Sequence, residues 1–243
     1  MNLAVLATRL PAHEVNLDAA ESKQRQLLCT ARVPAQRSSH AFVNATDRGW
    51  YDDTGFHDPS NLNYIAGFDR GTQYRDFFVF DLSGISNPII SASLRLWNPS
   101  NGTTGPGTFQ VSDVSTPIAT LTAGGTGQVA TFNDLGTGTS FGSVAVSTAD
   151  NGTFVTVNLN ASALAFLNAN LGNTIAFGGQ FITSGNQTFA FTNSNILADT
   201  QLIYEAPAPN VVPAPAGIVL FGLGLTGLGG FRLFRRKSAV PGA

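Results

Sequence analysis

YRDFFVFDLSGI (Tyr74–Ile85), followed after Ser86-Asn87-Pro88 by IISASLRL (Ile89–Leu96), is the stretch on which the fold turns. Phe78 and Phe80 alternate with Phe77, Val79 and Asp81, and Ala92, Leu94 and Leu96 alternate with Ser93, Arg95 and Trp97. A period of two puts successive side chains on opposite faces of a strand, so each segment has two distinguishable faces. The unbroken apolar run Phe77–Phe80 predicts a central strand.

Alternation and turn signals recur at short intervals on both sides of this pair. Further strands are expected over Ala41–Ala45, Tyr64–Phe68, Gly107–Val114, Gln128–Phe132, Thr153–Leu159, Thr174–Ile182, Thr188–Thr192 and Thr200–Tyr204. Asn87-Pro88, Asn98-Pro99, Asn101-Gly102, Gly124-Gly125 and Asn151-Gly152 favour chain reversal, with Asn151-Gly152 the best hairpin candidate. One short helix interrupts the strands: Asn160 can cap it, Leu164, Leu167 and Leu171 line one face, and Gly172 stops it. The pattern predicts an all-β sandwich.

Composition agrees. Of 243 residues only 12% are charged, and Gly, Thr, Asn and Ser abound, which suits short strands and turns better than long surface helices. The length allows one sizeable core. Between Ala41 and Asn210 the basic residues are Arg48, Arg70, Arg75 and Arg95, outnumbered by carboxylates, so no basic face exists to neutralise a nucleic-acid backbone. Cys29 is the single cysteine, which excludes a disulfide framework and a CxxC zinc site.

The C-terminal end reads differently. Ala216–Phe231 (AGIVLFGLGLTGLGGF) carries no charge and runs into Arg232, Arg235, Arg236 and Lys237. Counted through Phe234 it has 19 residues, roughly 28 Å of helix against a hydrocarbon core of about 30 Å, adequate for a transmembrane helix if Arg232 snorkels. The basic cluster places that end in the cytoplasm and the rest of the chain outside. Before the span, Pro207, Pro209, Pro213 and Pro215 disfavour regular structure and mark a linker or a protease-accessible strip.

This order of short proline motif (Val212, Pro213, Ala214, Pro215), Gly/Leu-rich span and terminal basic cluster resembles the PEP-CTERM sorting signal of exosortase-processed bacterial surface proteins. Ala214 stands where that family usually has Glu, which bears on processing by the usual exosortase. The resemblance implies a bacterial protein that is membrane-anchored first, then cleaved by an exosortase-like enzyme and left at the cell surface or in the extracellular matrix. The association of that signal with exopolysaccharide producers makes extracellular polysaccharide the implied partner.

An exported chain should begin with a signal peptide, yet residues 1–40 offer only the short apolar run Leu3–Ala7. Two readings stand: a misassigned start that replaced the true leader, or a disordered leader on a protein whose C-terminal helix inserts by itself. The expected organisation is an atypical leader over 1–40, a β-sandwich ectodomain over 41–206, a Pro-rich linker with the sorting motif over 207–215, and the transmembrane helix with its basic tail over 216–243.

Tyr74–Ile85 with Ile89–Leu96 is similar to the paired core strands of extracellular jelly-roll modules related to carbohydrate-binding domains. That resemblance implies a jelly-roll-like sandwich and transfers no ligand-binding residue.

The densest cluster of functional groups is DRGWYDDTGFHD (Asp47–Asp58). Asp52, Asp53 and Asp58 are hard oxygen ligands on a Gly-containing loop, a donor set that suits calcium, although the spacing is not that of an EF-hand. The alternative is a surface loop in which Asp side chains cap turns and Arg48 or Arg70 pairs with one of them. Trp50, Tyr51 and Trp97 offer flat ring faces for stacking on sugars, with core packing as the other role. His57 with Asp58 and Asp53 is a His–carboxylate cluster without an activated Ser or Cys, and the adjacent Asp52 and Asp53 point to opposite sides of a strand, so the chain reads as a non-enzyme. The expectation is a structural or binding protein of the extracellular matrix, with a carbohydrate-binding module as alternative and a secreted hydrolase third.

Overall fold

The computed structural model describes residues 38–190 and 195–207. The sorting motif, the apolar span and the basic tail lie outside the described residues, as does the leader up to Arg37. Among the described residues no helix is long and apolar enough to cross a membrane.

The described chain is all-β. Its strands are β1 (Ser38–Asn44), β2 (Asp47–Asp52), β3 (Ala66–Asp69), β4 (Thr72–Asp81), β5 (Ser91–Asn98), β6 (Gly107–Asp113), β7 (Ser140–Val146), β8 (Thr153–Asn158), β9 (Thr174–Ile182), β10 (Thr188–Phe189) and β11 (Thr200–Pro207). One sheet has four strands in the order β1-β11-β5-β8, and the other has seven, in the order β10-β3-β4-β9-β6-β7 with β2 beside β4. Every pairing is antiparallel.

Both sheets turn their apolar faces to one core. Leu94, Leu96, Val157 and Leu202 from the smaller sheet meet Phe78, Phe80, Phe109 and Phe177 from the larger. Each such side chain contributes about 1.5–3 kcal/mol on burial. The run Phe77–Phe80 is central, as its composition predicts, because both of its faces are covered. Phe78 and Phe80 enter the inter-sheet core, whereas Phe77 and Val79 enter a second cluster with Tyr51, Leu121, Phe132 and Leu135 on the outer side of the larger sheet.

That outer layer comes from two helices the sequence pattern misses: α1 (Ile118–Ala123) and α2 (Val129–Asp134). The expected strand over Gln128–Phe132 is therefore a helix, and the expectation of one short helix becomes three, with two additional 3-10 turns. Neither α1 nor α2 has a side-chain N-cap, and each spans only six residues, too short for its periodicity to show. The third, α3 (Ala161–Ala169), is the helix expected: Asn160 Oδ1 accepts the Ala163 N–H at 3.0 Å, and Ala163 and Leu167 enter the inter-sheet core.

Two strands, β2 and β7, also go unread in the sequence, and β1 begins at Ser38, ahead of the expected Ala41. Asn151-Gly152 is not a two-residue hairpin, because β7 and β8 on either side belong to different sheets. It is a crossing point between the sheets. Gly152 adopts φ +75°, and the Asn151 side chain bonds both backbone groups of Thr103.

Candidate binding face

The residues of Asp47–Asp58 are brought into defined positions but not to one site. Asp52 closes a turn, its Oδ1 accepting from the Thr54 N–H at 3.0 Å, the Thr54 hydroxyl at 2.6 Å and the Phe56 N–H at 3.0 Å. Asp58 closes another on Ser60, whose hydroxyl and N–H hold its carboxyl below the ordinary range. Asp53 faces the Gln73 N–H at 3.3 Å. Among the described residues no three His, Cys, Asp or Glu side chains are grouped to hold a metal ion.

His57 is packed rather than presented. Its ring lies 4.8 Å from that of Tyr51 and 5.1 Å from that of Phe77, and burial lowers its pKa. Gly49 makes the space, since a Cβ there would lie 2.6 Å from the imidazole Cε1. Tyr51 is equally internal: its hydroxyl donates to the Leu121 carbonyl at 2.9 Å, and burial pushes its pKa up to about 12. Trp50 is half-buried, set edge-on to Tyr74 at 5.2 Å. The three rings expected to stack on sugars are thus separated, with Tyr51 under α1, Trp50 beside Tyr74 on the larger sheet, and Trp97 on the smaller one.

Trp97 belongs to a face that strand register builds. On β5, Leu94 and Leu96 point into the core, so Ser93, Arg95 and Trp97 point out. Cross-strand pairing then aligns side chains in rows over the outer surface of the four-stranded sheet. Asn44, Gln201, Arg95 and Thr156 form one row, Phe42, Ile203, Ser93 and Asn158 a second, and His40, Glu205 and Ser91 a third, while Trp97 stands opposite Phe154. Phe42 is 58% exposed, and Ser91, Thr156 and Asn158 are exposed as well, so the face meets solvent across its width.

A chain of contacts fixes one strip of this face. The Trp97 and Phe154 rings meet edge to face at 5.1 Å. The Arg95 guanidinium lies over Phe154, 3.6 Å from the ring centroid, and donates through Nη1 to Gln201 Oε1 at 3.0 Å. Gln201 in turn donates to Asn44 Oδ1 at 3.2 Å. The cation–π contact and the hydrogen bond hold the fork in one plane. Beside the strip a pocket of about 300 Å³ is lined by Ser93, Asn158, Ile203, Leu164 and the side chains of His40 and Glu205, whose Nε2 and Oε1 are 2.8 Å apart.

No family model matches the chain, and no curated protein does either. The site therefore has to be read from its own chemistry. A flat surface of rigid strands that combines aromatic edges, hydroxyls, amides and one fixed guanidinium can contact an extended polar chain with both apolar and hydrogen-bonding faces. A second concave region, about 460 Å³ around Ser115, Thr116, Asn133 and Asp134, differs in kind. There the Asp134 carboxylate already takes four hydrogen bonds from the backbone and hydroxyls of Ser115 and Thr116.

Sequence reading named Trp97 but missed Arg95, Phe154 and Gln201. The outward alternation of Arg95 and Trp97 is visible in the sequence, whereas the pairings that bring Phe154 and Gln201 beside them are not.

Proposed function

We propose that this chain is an exported cell-envelope protein whose β domain binds polysaccharide on the outer face of its four-stranded sheet. The observation that carries this reading is the strip Trp97–Phe154–Arg95–Gln201–Asn44, in which ring contact, cation–π stacking and hydrogen bonds set an apolar and polar surface in register across the sheet. Sugar rings present C–H faces that suit aromatic surface and hydroxyls that suit amides and guanidinium. Two antiparallel sheets around one core, with strands from the two ends of the domain side by side, support a jelly-roll-like architecture.

The envelope part of the reading rests on the C-terminal signal. The Val212–Pro215 motif, the 216–234 span and the cluster Arg232, Arg235, Arg236 and Lys237 favour anchoring and cleavage by an exosortase-like enzyme. A polysaccharide-binding domain is a coherent cargo for such a signal, since retention in an exopolysaccharide layer needs a grip on the polymer. A glycan array with the full chain, in a polyoxyethylene detergent, tests the binding role. Expected is binding that Trp97→Ala removes and Trp50→Ala leaves; no binding to any polysaccharide, or equal loss with both variants, overturns it.

A further inference from the structure

Resting on the polysaccharide reading, we infer that the polymer this face takes carries carboxylates, as uronic acid units, and that Arg95 is the residue that selects them. The guanidinium is already partly committed. Phe154 lies beneath it, and Gln201 accepts from Nη1. No described carboxylate pairs with Arg95: its cross-strand neighbours are Thr156 and Gln201, and Ser93 and Trp97 flank it on the same face of β5. The edge formed by Nε and Nη2 therefore has no acceptor among the described residues.

That arrangement matches a carboxylate in three ways. A guanidinium edge offers two parallel N–H donors at the spacing of two carboxylate oxygens. Stacking on Phe154 fixes the plane of the fork, so the pair loses little side-chain entropy on forming. The charge is of the right sign and is not neutralised from within, because the one acidic side chain of the face, Glu205, is turned to His40 at 2.8 Å. The other described arginines take no such place. Arg48 is fully buried, Arg75 reaches the backbone carbonyls of Phe132 and Asn133, and Arg70 occupies the turn between β3 and β4.

A neutral glycan can offer the guanidinium edge only hydroxyl oxygens. An acidic one would add a charge-assisted pair at the centre of the strip. The two cases differ in salt dependence, since only the second weakens as ionic strength rises.

The test uses the full chain in polyoxyethylene detergent, with polygalacturonic acid and the same polymer after carboxyl reduction as probes. The acidic polymer is expected to bind at least about tenfold more tightly, the ratio one charge-assisted pair supplies. Arg95→Gln should erase that ratio, whatever it does to the reduced polymer's own affinity, and Arg95→Lys should restore part of it. Matched melting curves confirm that the variants fold. If both polymers bind the native chain equally, or Arg95→Gln keeps the native ratio between them, the carboxylate inference fails while the polysaccharide reading stands. If neither polymer nor any other polysaccharide binds, both fail together.

Discussion

The carboxyl of Asp76 rests against the bare Cα of Gly179 on the neighbouring strand. The two are register partners between β4 and β9, and a Cβ on Gly179 would come within 2.0 Å of Asp76 Oδ1 and 2.6 Å of the Phe109 ring. Gly179→Ala should therefore strain the inter-sheet core and cost about 1–3 kcal/mol, the range for overpacking. Urea unfolding of the full chain measures it; an unchanged midpoint would mean that the core yields freely at this point.

Asp76 itself makes stability pH-dependent. It is fully buried, neither carboxyl oxygen has a hydrogen-bond partner among the described residues, and burial raises its pKa well above the ordinary carboxylate value. In the unfolded chain the group ionises near pH ~3.9. Stability from this group is thus full below that value. It falls as pH rises, by up to about 1.4 kcal/mol per unit, until the folded carboxyl itself ionises. Asp76→Asn should flatten this slope between acidic and neutral pH, and parallel pH profiles for the two proteins would refute the assignment.

The crossing from β7 to β8 is held by a small polar network. Asn98 is fully buried, donates to the Asp150 carbonyl at 3.0 Å and to Asn151 Oδ1 at 3.1 Å, and accepts from the Thr103 hydroxyl at 3.1 Å. Asn98→Ala leaves the buried Thr103 hydroxyl without its acceptor, at about 1–3 kcal/mol, whereas the Asp150 carbonyl and Asn151 Oδ1 keep the Thr153 hydroxyl and the Thr103 N–H. Asn98→Ala and Asn151→Ala should also be non-additive, since both break the same network. Additive losses in a double-mutant cycle would show two independent sites.

The proposed sorting signal makes its own prediction. In a host with an exosortase-like enzyme, intact-mass analysis should find a mature C-terminus near Val212–Ala216, and replacing Arg235, Arg236 and Lys237 should leave unprocessed or misplaced protein. A secreted, soluble protein that keeps Ala243 would end the sorting proposal.

Much of the sandwich is legible in the sequence because period-two alternation reports a strand with one buried face. β5 and β8 carry it, whereas β4 and β9 show the unbroken buried run of strands covered on both faces. β2 was hidden because Asp47, Gly49 and Asp52 are poor strand formers, and its place is set by pairing with β4. Asp52, Asp53 and Asp58 read as a calcium donor set in the sequence, and Asp52 and Asp58 serve local turns in the structure, since turn capping and ligation call for identical side chains. The strip proposed to bind is legible only at Trp97, since β5 meets β8 and β11 through residues about 60 and 100 positions away, and nothing local encodes that register.

The first described strand has the last described one as its only neighbour among the described strands, with Ser38 opposite Pro207. A chain made from its N-terminus leaves β1 without a partner until nearly every other strand has emerged, and contacts that distant in sequence form slowly. Gln201, the hinge of the polar strip, also arrives on β11. Among the described strands the smaller sheet is thus completed last, after every described strand of the larger sheet has been made, and its outer face acquires the row of Asn44, Gln201, Arg95 and Thr156 only then.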